Sequence, residues 1–504
     1  MRDVVVIGAG MGGLSAAVAL AARGLDVELL EAAPRVGGKV DVTVHDGVEM
    51  DTGPSVLTLP GVLDRVLRRS GSSLDDELAL VRARPAFRYR FLDGVVFDVH
   101  VDLEETLASV RAALGTAAAL ELGRFLAYAR AIWDSARDAF VFGPPPRARD
   151  LPRLFARRPV ALLRVDPLRT MADAIYARVT EPHLRDVLLR YATYNGSSPW
   201  HAPATLNCIA HVELGLGVFG VRGGMAEIAR VLARRAEAAG AALRTSVPVE
   251  RILVEGGRVA GVALQGGGSV RARAVVVNAD VAHLIATLLP GAERRLPPAA
   301  RPSLSGHCLL VKAERRASRV AHEVWFPEVY REEMEDLFAR GRPPRAPTLY
   351  LCAQEKAHLR RGWERHEPVF VMANAPPLRD DVDSDEEERF AQLAALREEV
   401  QRRLAAGGFA FDDEVVWERG PADLAARFPG TDGAIYGAAS HGHRAAFQRP
   451  RNRVDEVPGL YLAGGSAHPG GGVPLCLQSG LTAADLLAED LGAKAPMSLP
   501  LRSR

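Results

Sequence analysis

The chain has little of what several function classes require. Its 504 residues carry 63 basic and 62 acidic side chains, a formal charge of +1, so there is no electrostatic footprint for nucleic acid. Four cysteines, Cys208, Cys308, Cys352 and Cys476, lie far apart and form no C-x-x-C pair. That excludes a disulfide framework and a thiol redox motif, and leaves them as reduced core residues of a cytosolic protein. Histidines and acids show no zinc-ligand spacing, so no metal site is expected. No apolar run approaches about 18 residues, so no membrane-spanning helix is expected and any lipid contact is peripheral. The first apolar segment has no basic leader before it and no cleavage site after it, so no signal peptide is expected. What remains, 48% hydrophobic and 25% charged, is the composition of a soluble globular protein large enough for two or three domains.

What is present begins at once. Residues 4–7 form an apolar run that reads as a buried parallel strand, followed by Gly8, Gly10 and Gly13 in G-x-G-x-x-G spacing. An Ala-rich helix is predicted over 12–23 and a second strand over 25–30, ending at Glu31. This is a dinucleotide-binding βαβ unit. Gly8 permits the tight turn, Gly10 lets backbone approach a pyrophosphate, and Gly13 lets the helix pack closely on the strand. The helix N-terminus adds free N–H groups and partial positive charge. The predicted cradle is Gly8, Gly10, Met11, Gly12 and Gly13. Glu31 stands 23 positions after Gly8, where an acid meets a ribose hydroxyl, which favours FAD or NAD over NADP. Arg35-Val36-Gly37-Gly38-Lys39 follows. Its paired glycines turn amides toward an anion, and Arg35 and Lys39 are expected to add charge beside the same pyrophosphate.

At this pair of glycines, and again at Asp51-Thr52-Gly53-Pro54, the chain resembles the flavoproteins of the amine oxidase and phytoene desaturase superfamily. The resemblance implies FAD as cofactor, with the loop of Asp51, Thr52, Gly53 and Pro54 near the flavin. It implies an α/β fold in which a Rossmann-like FAD-binding domain is assembled from separate segments, with an inserted α+β substrate domain. The predicted FAD domain comprises 1–75, 205–290 and 421–495, and the substrate or membrane-facing domain 76–204 and 291–420, with 496–504 as a tail. Strands are expected over 242–249, 251–254, 259–264 and 269–278. Val249 is a candidate for holding the adenine through its main chain.

The second stretch that forms the site is GLYLAGGSAHPGGGVP, 459–474. An apolar strand delivers Gly464 and Gly465 to where backbone can approach a phosphate or ribityl chain. Gly470, Gly471 and Gly472 let main chain lie against a flat ring, and Val473 and Pro474 open a helix. The positive end of that helix favours a flavin that gains negative charge on reduction, by about 0.3 to 2 kcal/mol. His468 is the polar residue of this loop. Bracing the loop and accepting a proton are both open to it.

Between these stretches, helical periodicity is predicted over 103–114 and 120–140, ended by Pro144-Pro145-Pro146. Residues 151–171 mix Arg153, Arg157, Arg158, Arg164 and Arg169 with Leu151, Leu154, Phe155, Val160, Leu162 and Leu163. This is either a solvated basic face or a patch that docks shallowly on anionic lipid. The acidic run 380–388 reads as a solvated loop, and nothing between 300 and 420 proposes a site.

The motifs RYATYNGSSPWHAPATL (190–206), Ala434-Ile435-Tyr436-Gly437, Ser440-His441-Gly442, Phe447-Gln448-Arg449-Pro450 and GLYLAGGSAHPGGGVP resemble bacterial carotenoid desaturases. The likeness is greatest to the hydroxycarotenoid 3,4-desaturase branch, from which Leu475-Cys476-Leu477 departs. It implies FAD-dependent introduction of a C-3,4 double bond into an acyclic 1-hydroxycarotenoid, with the hydride taken by flavin N5. It also implies peripheral contact with the inner face of the membrane, and Asn195, Trp200 and His441 either lining the substrate cavity or packing. Phytoene desaturation, carotene cis–trans isomerisation and a flavin carrier without turnover are the alternatives. Oligomeric state and electron acceptor are not legible.

Overall fold

A computed structural model describes residues 1–145, 164–291, 296, 301–378, 386–410, 414–442 and 449–493. Of the readings above, the Arg-rich stretch up to residue 163, Pro146, residues 380–385, 447–448 and the tail 496–504 lie outside the described residues.

Two seven-stranded sheets organise the chain. The first runs in the order Val249–Glu255, Arg258–Leu264, Ser269–Val277, Arg2–Ile7, Val27–Leu30, Ala242–Arg244, with Leu460–Leu462 paired to Ser269–Val277. Its centre is parallel: Ile7 stands opposite Val277 and Leu30, Val277 opposite Leu462, and Leu30 opposite Arg244. Val4, Val5, Val6, Val275 and Val276 have no exposed surface: Val4, Val6 and Val276 pack under the helices Met11–Ala21, Ala226–Ala238 and Val473–Asp490, and Val5 and Val275 pack on the other face against Ile252, Val259 and Val262 of the antiparallel strands and against Leu284 and Leu288. The opening helix, Met11–Ala21, is buried along its whole length and packs on the closing helix, Val473–Asp490. Ser15 Oγ donates to the Leu477 carbonyl at 2.7 Å, and a methyl added at Gly480 would sit 2.2 Å from the Gly12 carbonyl oxygen. The N-terminus and C-terminus therefore form one layer.

The strand expected over 242–249 is broken. Ser246 adopts a left-handed φ of 58°, and the chain turns there so that the Ser246 and Val247 amides donate to the Ala33 and Glu31 carbonyls. Val249 belongs instead to the next strand, opposite Leu264.

The second sheet runs Glu414–Arg419, Ser305–Glu314, His366–Ala375, Leu349–Ala353, His322–Trp325, Phe87–Arg90, Val96–Val99. Its Phe87, Tyr89 and Phe97 pack with Phe326, just past the strand His322–Trp325, and with Phe125 and Leu122 from the helix Thr116–Phe140 into a second core. Gly115, at φ 92°, separates that helix from Leu103–Leu114. The two halves meet at Asp51. Its amide donates to Gln354 Oε1 at 2.9 Å, and Gln354 Nε2 returns a bond to its carbonyl at 2.8 Å.

Candidate functional site

The register of the parallel strands sets the site. Because Ile7, Leu30, Val277 and Leu462 are in step, Gly8, Glu31, Asn278 and Ala463 all emerge at the same carboxyl edge, where open α/β sheets bind ligands. Gly8 takes a φ of 91°, and a methyl on Gly13 would sit 2.0 Å from the Gly8 carbonyl oxygen. A methyl on Gly12 would lie 2.7 Å from the Gly464 amide nitrogen and 2.5 Å from Asn278 Oδ1. One on Gly10 would lie 2.7 Å from Asn278 Nδ2. The two glycine-bearing turns, some 450 residues apart, are thus in main-chain contact, with the Asn278 amide between them. Neither the opening helix, N-capped by Gly10, nor the closing helix, N-capped by Gly472 at φ 101°, has a side-chain cap. Their first-turn N–H groups are left for an anion or a carbonyl.

Glu31 accepts from the Ala9 amide at 2.6 Å and the Ala33 amide at 2.8 Å. An ionised carboxylate has about four acceptor positions, so two remain for a ribose diol. Gly37 donates to the Ala9 carbonyl at 2.8 Å and forms a parallel bridge with Gly10, so the Gly37-Gly38 turn lies beside the first cradle. Val249 lies two residues beyond Val247, whose amide is tied to Glu31.

Several predicted residues do other work. Arg35, more than half exposed, donates to the Val42 carbonyl at 3.1 Å and pairs with Asp41 at 3.5 Å. Lys39 donates to the Ala434 and Ile435 carbonyls at 2.8 Å each. Burial lowers its pKa to about 8, opposed by the charge of Asp280. The two cations brace loops, and neither stands free beside the glycines as expected. The Asp51 carboxylate caps the helix Ala226–Ala238, accepting from Met225 N at 2.8 Å, with Arg360 at 3.4 Å. Burial raises its pKa, and Arg360 opposes the rise. Asp51 therefore shapes this loop through its fold, and its side chain is not free for a ligand. Thr52 Oγ1, by contrast, is buried without a hydrogen-bond partner among the described residues, as are Nε and Nη1 of Arg419, whose Nη2 holds the Thr52 carbonyl. Gly53 fits so closely that a methyl there would meet the Lys39 carbonyl at 2.1 Å, and Pro54 continues the turn.

The second loop is braced from beneath. Ser479 Oγ accepts from the Gly464 amide at 3.1 Å and donates to the His468 carbonyl at 2.6 Å. Asn452 Nδ2 donates to the Leu462 and His468 carbonyls. Arg449 donates to the Gly465 and Ala438 carbonyls at 2.9 and 2.7 Å, and burial lowers its pKa to about 10. Tyr436 packs against Gly471, where a methyl would meet it at 2.8 Å. His468 is 3% exposed, and its Nε2 donates to the Gly143 carbonyl at 3.0 Å. Burial lowers its pKa to about 4, so the ring is neutral. Of its two open roles the geometry supports bracing: the ring ties this loop to the end of the long helix, and Nε2 has its proton committed.

Asn195 Oδ1 accepts from Ser440 Oγ at 2.7 Å, and His441 Nε2 accepts from Ser198 N at 3.0 Å. Trp200 and His441 line a cavity of about 420 Å³ with Arg169 and Arg301. Arg169 is ion-paired with Asp166, which removes it from the proposed basic face.

Sequence reasoning missed Asn278, Arg419, Gln354 and Ser479. Asn278 was visible only as a strand end, and Arg419 and Gln354 come from the region that offered no motif. The residues fit a dinucleotide: a cradle that any Cβ would fill, two uncapped helix ends, an acid with spare acceptors and an unpartnered hydroxyl at the adjoining loop.

Comparison with known proteins matches residues 11–311 to the flavin containing amine oxidoreductases. The chain is 36% identical to hydroxyneurosporene desaturase of Rubrivivax gelatinosus over 97% of this chain and 93% of that one. It is 31% identical to 4,4'-diapolycopene oxygenase of a Methylomonas species over 97% and 99%. Among solved structures, an oxidoreductase from Methanosarcina mazei superposes with a TM-score of 0.65 at 16% identity over 96% and 100%, a likeness of fold.

Proposed function

The chain belongs to the flavin containing amine oxidoreductase family and, within it, to the bacterial carotenoid desaturases, and from that premise we propose that it is an FAD-dependent desaturase that introduces the C-3,4 double bond into an acyclic 1-hydroxycarotenoid. The observation that carries this is identity of 35 to 36% with three hydroxyneurosporene desaturases along nearly the whole chain. The 31% relative is named an oxygenase, which makes oxygen insertion the second reading. Product mass separates them: purified holoenzyme given a hydroxylated acyclic carotenoid is expected to yield a product lighter by two hydrogens, and a product heavier by oxygen would overturn the first reading.

When bound, FAD supplies the hydride acceptor. In this reading Gly8, Gly10, Met11, Gly12 and Gly13 receive the pyrophosphate and Glu31 the ribose. Gly37, Gly38 and the main chain of Val249 flank the adenosine half, and Thr52, Gly53, Pro54, Gly464, Gly465, Gly471, Gly472, Val473 and Pro474 hold the flavin half. The neutral His468 keeps the second loop in place. The apolar side chains of the second half would keep water from the polyene, whose conjugation stabilises positive charge at the reacting carbon. Segments 1–75, 205–290 and 421–495 form the cofactor unit, an assignment supported by the strands of the first sheet.

The substrate partitions into lipid, and no helix among the described residues is long and apolar enough to cross a membrane. Peripheral docking on the inner membrane face through 151–171 is supported by that sequence's mixture of arginine and apolar residues and by Leu168, 82% exposed at its end. Liposome flotation tests it: neutralising Arg153, Arg157 and Arg158 is expected to reduce binding to anionic vesicles, and unchanged flotation would remove the idea.

A further inference from the structure

One group of buried polar side chains takes no part in holding the cofactor. The core of the second half is apolar, yet Arg190 lies in it at 7% exposure and Glu213 at 3%. Glu213 accepts hydrogen bonds from Tyr191 at 2.9 Å, from Tyr89 at 3.4 Å and from Tyr194. The Arg190 guanidinium lies 5.4 Å from the Tyr194 ring centroid, and its Nη1 is buried with no hydrogen-bond partner among the described residues. The hydroxyl of Tyr330, a residue 1% exposed, is in the same condition. The Tyr330 ring meets Phe326 edge-on at 5.7 Å, and Phe326 lies 6.2 Å from Tyr89. A charged donor and a hydroxyl, both without partners, therefore share one aromatic cluster. Buried polar groups are rarely left so in native proteins.

The cluster adjoins both flavin-side loops. Val56, two residues beyond Pro54, and Tyr350 pack against the same core, and Leu304 of that core donates its amide to the Gly196 carbonyl and accepts from the amide of Ile435, the neighbour of Tyr436, which packs on Gly471. In a 1-hydroxycarotenoid one methylene separates the alcohol carbon from the bond to be desaturated. A site for that alcohol must therefore lie beside the flavin and inside the apolar half.

Resting on the proposed function, we propose that Arg190 and Tyr330 form the end-group site for the substrate's alcohol. Arg190 Nη1 donates to the alcohol oxygen and the alcohol O–H donates to Tyr330 Oη, so that each of the three groups gains a partner. Glu213 is a positioning residue: by gathering Tyr89, Tyr191 and Tyr194 it fixes the wall against which Arg190 lies. The site makes the enzyme selective, because a hydrocarbon end leaves both polar groups buried and unpaired, and pockets built to bond a hydroxyl reject analogues that lack it.

The test compares a 1-hydroxylated acyclic carotenoid with the same hydrocarbon lacking the hydroxyl, in the wild-type holoenzyme and in Tyr330→Phe and Arg190→Met. It reads kcat/KM, flavin content, and equilibrium binding followed by polyene absorption. The wild type is expected to prefer the alcohol by at least about 100-fold. Tyr330→Phe, which removes one unpartnered oxygen and so keeps its fold and flavin, is expected to lower that preference about tenfold. It should do so by weakening alcohol binding, with the hydrocarbon unchanged within about twofold. Arg190→Met is expected to lower it further. If both carotenoids are desaturated and the preference is absent, or is unchanged in Tyr330→Phe, the inference falls and the desaturase reading stands. If flavin-loaded wild type desaturates neither, the reading falls and takes the inference with it.

Discussion

The edge of the first sheet and the polar cluster of the second half solve different recognition problems with different material. The cofactor edge is built from main chain: glycines with no room for a methyl, strand ends in register and helix starts without caps. The cluster around Arg190 is built from side chains drawn from Phe87–Arg90, the turn Tyr191–Asn195, the helix Cys208–Leu214 and Tyr330–Phe338. A pyrophosphate and a flat ring need close backbone approach, which few residue types allow. An alcohol in an oily pocket needs one or two polar atoms, which many arrangements supply.

The largest effect is expected where main chain touches main chain. Gly13→Val places a branched side chain where even a methyl would meet the Gly8 carbonyl at 2.0 Å, and is expected to give protein with under about a tenth of wild-type flavin, read from bound absorbance. Full flavin loading would break the comparison, since the edge would then tolerate side chains. Ser479→Ala comes next. It strips a buried hydroxyl from the Gly464 amide and the His468 carbonyl, and is expected to cost about 1–3 kcal/mol of stability, visible as a lower melting temperature of the holoprotein.

His468→Gln is expected to keep flavin and at least about a tenth of activity, because a braced loop is weakened and no acid–base step, typically worth about 100-fold, is lost. It should also flatten the acid limb of stability. The folded-state pKa of His468 is lowered to about 4 by burial. Its contribution is therefore fully present above the unfolded value of 6.5, and falls as pH drops from there toward 4, because the unfolded chain takes up a proton that the fold refuses. Urea unfolding at several pH values reads the slope. The smallest effect is expected for Arg35→Ala, whose guanidinium holds Val42 and Asp41. Flavin affinity should change by less than about threefold, and a larger loss would restore Arg35 to the pyrophosphate.

The same contrast explains what was legible. Gly8 to Gly13 with Glu31, and Gly464 to Pro474, are each local in sequence because each is a strand, a turn and a helix start. Their spacing carries the geometry, and the α/β fold follows from it. Asn278 touches both turns, but nothing about one asparagine at a strand end distinguishes it before the strands are in register. Lys39 and Asp51 stand inside the right motifs. Their side chains were assigned outward to a ligand, but a buried ammonium and a buried carboxylate satisfy their charges on the nearest carbonyls and amides, here those of Ala434, Ile435 and Met225. The break at Ser246 was hidden because an apolar run reads as one strand whether or not a turn interrupts it. Arg190, Glu213 and Tyr330 come together only through tertiary packing, so no spacing announces them.

Anaerobic single turnover of the FAD-loaded protein with a hydroxylated acyclic carotenoid tests the central claim most directly. The account predicts that one flavin is bleached for each double bond formed and that the product is lighter by two hydrogens. Protein that takes up no flavin, or flavin that stays oxidised while the carotenoid mass is unchanged, would contradict it.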